Sequence, residues 1–152
     1  MIQISPADLH DPEVIGFLEA HLADLAPISP PESQHALDVD ALRKPEVRMW
    51  TAYSEGELVG TVALAELHDG HEELKSMRTS PAQRGKGIGR RLVMHALDDA
   101  RSRGISRVSL ETGSETFFAP ARALYFGVGF TGCEPFGSYV EDPNSVYMTL
   151  EL

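Results

Sequence analysis

The chain has 152 residues, 42% of them hydrophobic, a single cysteine and a net charge of −10. That length suits one domain over residues 1–152 with its own core, and the lone Cys133 excludes an internal disulfide framework and a paired-cysteine zinc site. No run reaches the ~18 apolar residues of a membrane span, no signal-peptide pattern opens the chain and the acidic balance argues against nucleic-acid binding, so a soluble cytoplasmic protein is expected, with neither nucleic acid nor membrane as partner.

Met1 to Ser5 alternates weakly and predicts an edge strand. Asp11-Pro12-Glu13 opens a helix: Asp caps, Pro fits the first helical position and Glu suits the positive end. Val14, Ile15, Leu18, Leu22 and Leu25 then recur at helical spacing until Pro27 stops them. Residues 27–45 hold four prolines and a short helical stretch over Asp38–Arg43, more chain than a plain connection needs. Val47–Tyr53 and Leu58–Leu67 predict a hairpin about Ser54-Glu55-Gly56-Glu57. Glu73–Thr79 predicts a third strand, ended by Ser80-Pro81. Gly87–Arg103 is the clearest helix, with Ile88, Leu92, Val93, Ala96, Leu97 and Ala100 as one stripe and Gly104 as its stop. Arg107–Thr112 alternates as a strand, Pro120–Gly127 predicts a short helix, and Glu141-Asp142-Pro143-Asn144 between two apolar runs predicts a final hairpin. The order implies a mixed α/β domain with one strand–helix–strand crossover at its centre.

The charge is unevenly placed. Residues 75–107 hold 9 basic and 2 acidic side chains, net +7, whereas residues 1–74 are net −12 and residues 108–152 net −5. Within the cationic third, Arg84-Gly85-Lys86-Gly87-Ile88-Gly89 joins the third strand to the long helix. Alternating glycines let the backbone turn tightly and present bare N–H groups. The following helix adds its unpaired N–H groups and positive dipole end, so the turn predicts an anion site of the phosphate-cradling kind. It is neither an NTPase phosphate loop, since Ile88 and Gly89 follow Gly87 where Lys and Ser/Thr are needed, nor a dinucleotide fingerprint, since Gly85, Gly87 and Gly89 are evenly spaced.

This turn resembles the Arg/Gln-x-x-Gly-x-Gly/Ala signature of the GNAT superfamily of N-acetyltransferases. Glu73-Leu74-Lys75-Ser76-Met77 looks like that family's fourth strand, and Gly87–Arg103 like the helix that receives the CoA pyrophosphate. Val108–Glu111 looks like its fifth strand. Ala121-Arg122-Ala123-Leu124-Tyr125 with Gly129-Phe130 resembles its Ala-x-x-Leu-Tyr…Gly-Phe segment. The likeness follows element order over residues 1–152 and is specific from 73 to 130. Two places depart: Phe118 stands where an asparagine is common, and Phe126-Gly127-Val128 replaces the usual Glu-Lys-x.

The resemblance implies a mostly antiparallel sheet flanked by helices, acetyl-CoA as acetyl donor, and a primary amine of a small molecule, amino acid or peptide as acceptor. It implies that Met77, Arg78 and Thr79 meet the pantetheine arm, that Arg84, Gly85, Lys86, Gly87, Ile88, Gly89 and Arg90 hold the pyrophosphate, and that an N–H near Met77 stabilises the oxyanion. Tyr125 falls where the family's reprotonating tyrosine lies; a phenol of pKa ~10 keeps its proton at pH 7. Glu73 is the candidate base, with Glu72 and His71 as rivals. Phe117, Phe118, Phe136 and Tyr139 are candidate walls of an apolar acceptor slot, with residues 27–45 contributing. His68 and His71 flank a turn and predict no metal site, and Cys133 has no adjacent base that would make it a nucleophile. Small members of the family pair through their last strands, so a homodimer is expected. The competing reading is a non-catalytic acyl-CoA-binding or sensor module of the same fold.

Overall fold

The computed structural model describes residues 1–34 and 38–152. Their elements, in chain order, are β1 (Ile2–Pro6), α1 (Pro12–Leu25), α2 (Val39–Leu42), β2 (Val47–Ser54), β3 (Glu57–His68), β4 (His71–Thr79), α3 (Ile88–Ser102), β5 (Arg107–Gly113), α4 (Ala119–Val128), β6 (Thr131–Gly132) and β7 (Ser145–Glu151). The helix starts follow the local chemistry. The Asp11 side chain accepts from Glu13 N–H, Pro12 occupies the first helical position, and Asp38 accepts from Ala41 N–H at the start of α2. At the other end of α3, Gly104 takes φ 81°. Ile105 N–H then bonds the Ala100 carbonyl and Gly104 N–H the Arg101 carbonyl, a paired closure that satisfies the last turn.

Among the described residues the strands form one sheet in the order β1-β2-β3-β4-β5-β7-β6. Every pairing is antiparallel except β4–β5, the two strands that α3 connects. The sheet is covered on both faces. Ile88, Leu92, Val93, Ala96, Leu97 and Ala100 of α3 bury one stripe against Val59, Val62, Leu64 and Val108. Val14 and Leu18 of α1, with Leu42 of α2, pack on Met49, Leu58 and Ala63 from the other side. This is why β3 is buried at every position from Leu58 to Leu64 rather than alternately. Each large apolar side chain of the α3 stripe contributes roughly 1.5–3 kcal/mol by leaving water.

One predicted element is absent. Residues 136–140 form no strand, and the final hairpin about Glu141–Asn144 does not exist. β7 is instead paired on one side with β5 and on the other with the two residues Thr131 and Gly132. Pro135 lacks a ladder donor and Gly137 sits at φ 58°, so the intervening chain cannot extend. It turns back over the sheet, Tyr139 N–H bonding the Phe136 carbonyl. The remaining predicted elements stand within about two residues of their expected ends, as helix and strand limits usually do.

Candidate active site

The parallel β4–β5 contact is short: His71, Glu72 and Glu73 pair with Arg107, Val108 and Ser109, and the strands then part. A bulge lies where they diverge. Arg78 opposes Thr61 and Lys75 opposes Ala63, so Ser76 and Met77 together face Val62 alone. Ser76 adopts φ 52°, a left-handed conformation that a serine takes only under surrounding constraint. The Thr61 hydroxyl holds it there, donating to the Ser76 carbonyl at 2.9 Å. A bulge re-aims the chain, and here it turns Ser76 and Met77 into the wedge between the strands, where both line a cavity.

Two cavities occupy this wedge among the described residues. The larger, about 400 Å³, runs from Met77, Arg78 and Thr79 along the glycine turn to α4. Gly85 and Gly87 sit at φ 81° and φ 80°, and no atom lies within 4 Å of the place a Cβ would occupy on either. The left-handed backbone favours glycine there, while the open space leaves room for a ligand to approach the bare backbone. Gly87 caps α3 with no side chain of its own, so the first-turn N–H groups remain for an anion. Arg84 and Arg90 line the same cavity. Gly89 serves packing: a Cβ on it would stand 3.1 Å from Met77 Cε and 3.2 Å from Leu124 Cδ2. A cradle of backbone donors with two arginines at the rim fits a pyrophosphate.

The smaller cavity, about 220 Å³, lies between α1, β4, β5 and the chain before β7. Glu73 and Lys75 point into it from alternate positions of β4. The Lys75 ammonium donates to Glu73 Oε2 at 3.1 Å and the Tyr139 hydroxyl to the same oxygen at 2.6 Å. Burial and the Glu73 charge hold the Tyr139 phenol far above its ordinary pKa. Glu111 on β5 lines the cavity and accepts from the Ser145 hydroxyl at 2.8 Å. The roof is residues 29–34. Ser29 donates to Glu115 at 2.8 Å, and Ser33 donates to Asp142 at 2.5 Å, which ties this loop to both chain segments on the far side.

The cavities meet at a common wall of His21, Leu25, Met77, Phe118, Ala121 and Tyr125. Tyr125 is buried, its ring set edge-on to Phe130. Burial, then the Glu111 carboxylate, push its pKa well up, so the phenol keeps its proton. His21 on α1 is shifted the other way, down to about 4, by burial and then by the Arg78 guanidinium, with Arg84 adding to the effect against Asp24. It is a neutral imidazole at pH 7.

Residues 17–130 match the acetyltransferase (GNAT) family. The chain belongs to that family. It is similar to the uncharacterised N-acetyltransferase YsnE of Bacillus subtilis, 48% identical over 145 residues, which covers 95% of this chain and 96% of that one. The uncharacterised N-acetyltransferase YedL of Escherichia coli is 41% identical over the whole of this chain and 96% of its own length. Among solved structures, the putative acyl-CoA N-acyltransferase of Klebsiella pneumoniae superposes with a TM-score of 0.80 at 28% identity, covering 100% of this chain and 98% of that chain. The protein is an acetyltransferase with the GNAT fold.

The GNAT resemblance placed its residues unevenly. Met77, Arg78, Thr79, Arg84, Gly85, Gly87, Ile88, Gly89 and Arg90 line the larger cavity. Lys86 does not; its ammonium bonds Gln83 at 3.0 Å. Arg78 lends wall rather than spare charge, since Asp24 holds its guanidinium at 2.9 Å over the Phe17 ring. Of the rival bases, Glu72 points to the α3 face, where Arg103 grips both its oxygens at 2.7 and 2.8 Å. His71 bonds Ser109 at the paired end of the strands. Neither lines either of these two cavities. The four aromatics do not form one slot. Phe118 stands in the common wall, Phe117 belongs to the larger cavity only, and Tyr139 acts from behind Glu73. Phe136 lines neither cavity and packs against His71, Tyr139 and Tyr147. The roof spans part of the expected loop 27–45, of which residues 35–37 lie outside the described residues. Lys75, Glu111 and His21 escaped the sequence reading. The first two were accessible in principle, because period two puts Glu73 and Lys75 of β4 on the same face as Ser109 and Glu111 of β5.

Proposed function

We propose that this protein transfers the acetyl group of acetyl-CoA to a primary amine of a small molecule, amino acid or peptide by direct attack, with no acyl-enzyme. The observation that carries the reading is the pair of cavities that share Tyr125 and Met77: an anion cradle opens into one and charged polar groups into the other. Acetyl-CoA, when bound, supplies an activated thioester. The N–H groups of the glycine turn, with Arg84 and Arg90, hold its pyrophosphate, and Met77, Arg78 and Thr79 line its path toward the common wall. The backbone N–H at Met77, turned by the Ser76 bulge, is the fixed dipole for the developing oxyanion. The Tyr125 hydroxyl holds the proton that the departing sulfur takes up. Glu73 takes the amine's proton through Oε1, since Lys75 and Tyr139 both bond Oε2. Cys133, the single thiol of the chain, lines neither cavity and has its pKa raised chiefly by burial, which supports direct attack over a covalent route.

Thiol release from acetyl-CoA, followed against a panel of amines, tests the reading. Amine-dependent release with one acetylated amine formed per thiol is expected. Cofactor binding with no turnover of any amine would favour the binding-module alternative.

A further inference from the structure

We infer that His21 is a further catalytic residue of the transfer, its ring N–H bonding the acetyl carbonyl oxygen beside the Met77 backbone N–H; this rests on the acetyl-transfer reading above. His21 lines both cavities, as do Met77 and Tyr125. It therefore stands at the junction where a thioester lying in one cavity meets an amine lying in the other. Of the residues in that common wall, only His21 and Tyr125 carry a side-chain nitrogen or oxygen. The imidazole is partly buried and makes no hydrogen bond to any described residue. A polar group held away from water without a partner is a cost, and a ligand atom at the junction removes it.

A neutral imidazole offers one nitrogen as donor and the other as acceptor. The charges around the ring decide which is used. Arg78 has the largest charge effect on His21 and Arg84 adds to it, with Asp24 opposed. Two guanidinium groups against one carboxylate disfavour an ammonium at this ring and favour an oxygen that gains negative charge. The acetyl carbonyl oxygen is such an atom. As the amine nitrogen bonds the carbonyl carbon, the C=O π pair moves onto oxygen; as the C–S bond breaks, the pair returns. Two N–H donors, one from the β4 main chain and one from the α1 side chain, hold the charge in between. The ring neither gains nor loses a proton. With its pKa down at about 4 it is imidazole, not imidazolium, at pH 7. The amine's proton still goes to Glu73, and the sulfur's still comes from Tyr125.

The test uses the whole protein and reads the bound thioester directly, by isotope-edited infrared difference spectroscopy of acetyl-CoA labelled at the carbonyl carbon. In the wild type the carbonyl band is expected at lower wavenumber than in free acetyl-CoA. In His21→Leu, which fills the space without a donor, the band should move back toward the free position. Turnover of the amines that the panel identifies should fall with it, kcat dropping by roughly 10²–10³-fold for every amine alike, while acetyl-CoA affinity by calorimetry is unchanged. His21→Gln, whose amide can donate, should recover about tenfold or more of the lost kcat and part of the band shift, a rescue that a packing role would not give. Should His21→Leu not fold, His21→Met takes its place. A band at one position in wild type and the apolar variant overturns the inference. So does a loss confined to the KM of the amine, which would set His21 against the acceptor, or one confined to acetyl-CoA affinity, which would set it on the pantetheine arm. Turnover of no amine, with the band still shifted through His21, overturns acetyl transfer and leaves the His21 contact standing.

Discussion

Tyr125 and His21 occupy one wall yet are pushed to opposite ends of their titration ranges, both chiefly by burial. Burial disfavours whichever form is charged, so the phenol keeps its proton and the imidazole refuses one. Replacing Tyr125 by Phe removes the hydroxyl and keeps the packing against Phe130. Turnover is expected to fall by roughly tenfold to a hundredfold, with acetyl-CoA affinity unchanged by calorimetry; turnover at the wild-type level would return Tyr125 to a packing role. For His21 the sign follows from its two pKa values, 6.5 when exposed and about 4 when folded. Between them the unfolded chain binds the extra proton, so the stability is full above pH 6.5 and is lost as pH falls through 4. His21→Gln should remove on the order of 2–3 kcal/mol of that acid-side loss, read as the difference between the two proteins' urea midpoints at pH 7 and pH 4. The His71 pKa moves in the same direction, and the difference cancels it. Tyr125 was legible in the sequence because Leu124-Tyr125 belongs to a recognisable segment. His21 was not: it sits between Leu18 and Leu22 on a helix whose spacing announces only an apolar face.

The turn from β4 into α3 shows what a short element can encode without help from distant chain. Three glycines, the basic residues among them and a helix start were read as one unit, since each property is local to the segment, and the structure brings Arg84, Gly85, Gly87, Gly89 and Arg90 to one cavity while Lys86 lies outside it. The structure separates the glycines by duty: Gly85 and Gly87 for left-handed backbone beside open space, Gly89 for contact with Met77 and Leu124. Gly87→Asp puts a side chain at φ 80° and a negative charge where the helix N-terminus offers donors. The acetyl-CoA-induced rise in melting temperature should vanish in this variant, while its own melting temperature drops by only a few degrees, because the strain is confined to one exposed residue. A retained shift would mean that the pyrophosphate is held elsewhere. The missing last hairpin teaches the converse. Its strands were drawn from two apolar runs about a turn signal, but β7 lies one strand in from the sheet edge, and its partners Arg107–Gly113 and Thr131–Gly132 are set by pairings distant in sequence. Phe136 and Tyr139 looked like strand residues and are instead held by His71 and Glu73.

Across the whole molecule the sheet divides two unequal cores. Among the described residues, the cluster on the α3 and α4 side holds seventeen buried side chains, including Leu92, Leu97, Phe130 and Met148. The cluster under α1 and α2 holds six. An Arg103 bridge to Glu72 and Asp99 further fastens the end of α3 to β4, whereas α1 is joined to β4 by one partly exposed pair, Asp24 with Arg78. Local opening is easiest where the least apolar surface is buried, so α1 belongs at the low-stability end of this fold. That helix carries His21, Leu22 and Leu25 of the smaller cavity, and the chain that follows it forms the roof. The weak layer therefore supplies one wall and the roof of that cavity. Native-state hydrogen exchange should show the α1 amides opening at a free energy at least about 2 kcal/mol below those of α3. A bound amine together with acetyl-CoA should close that gap by protecting α1 and leaving α3 unchanged. Equal protection of the two helices in the free protein would mean that the sheet and both its layers open only together, and that the acceptor reaches Glu73 by a path that leaves α1 in place.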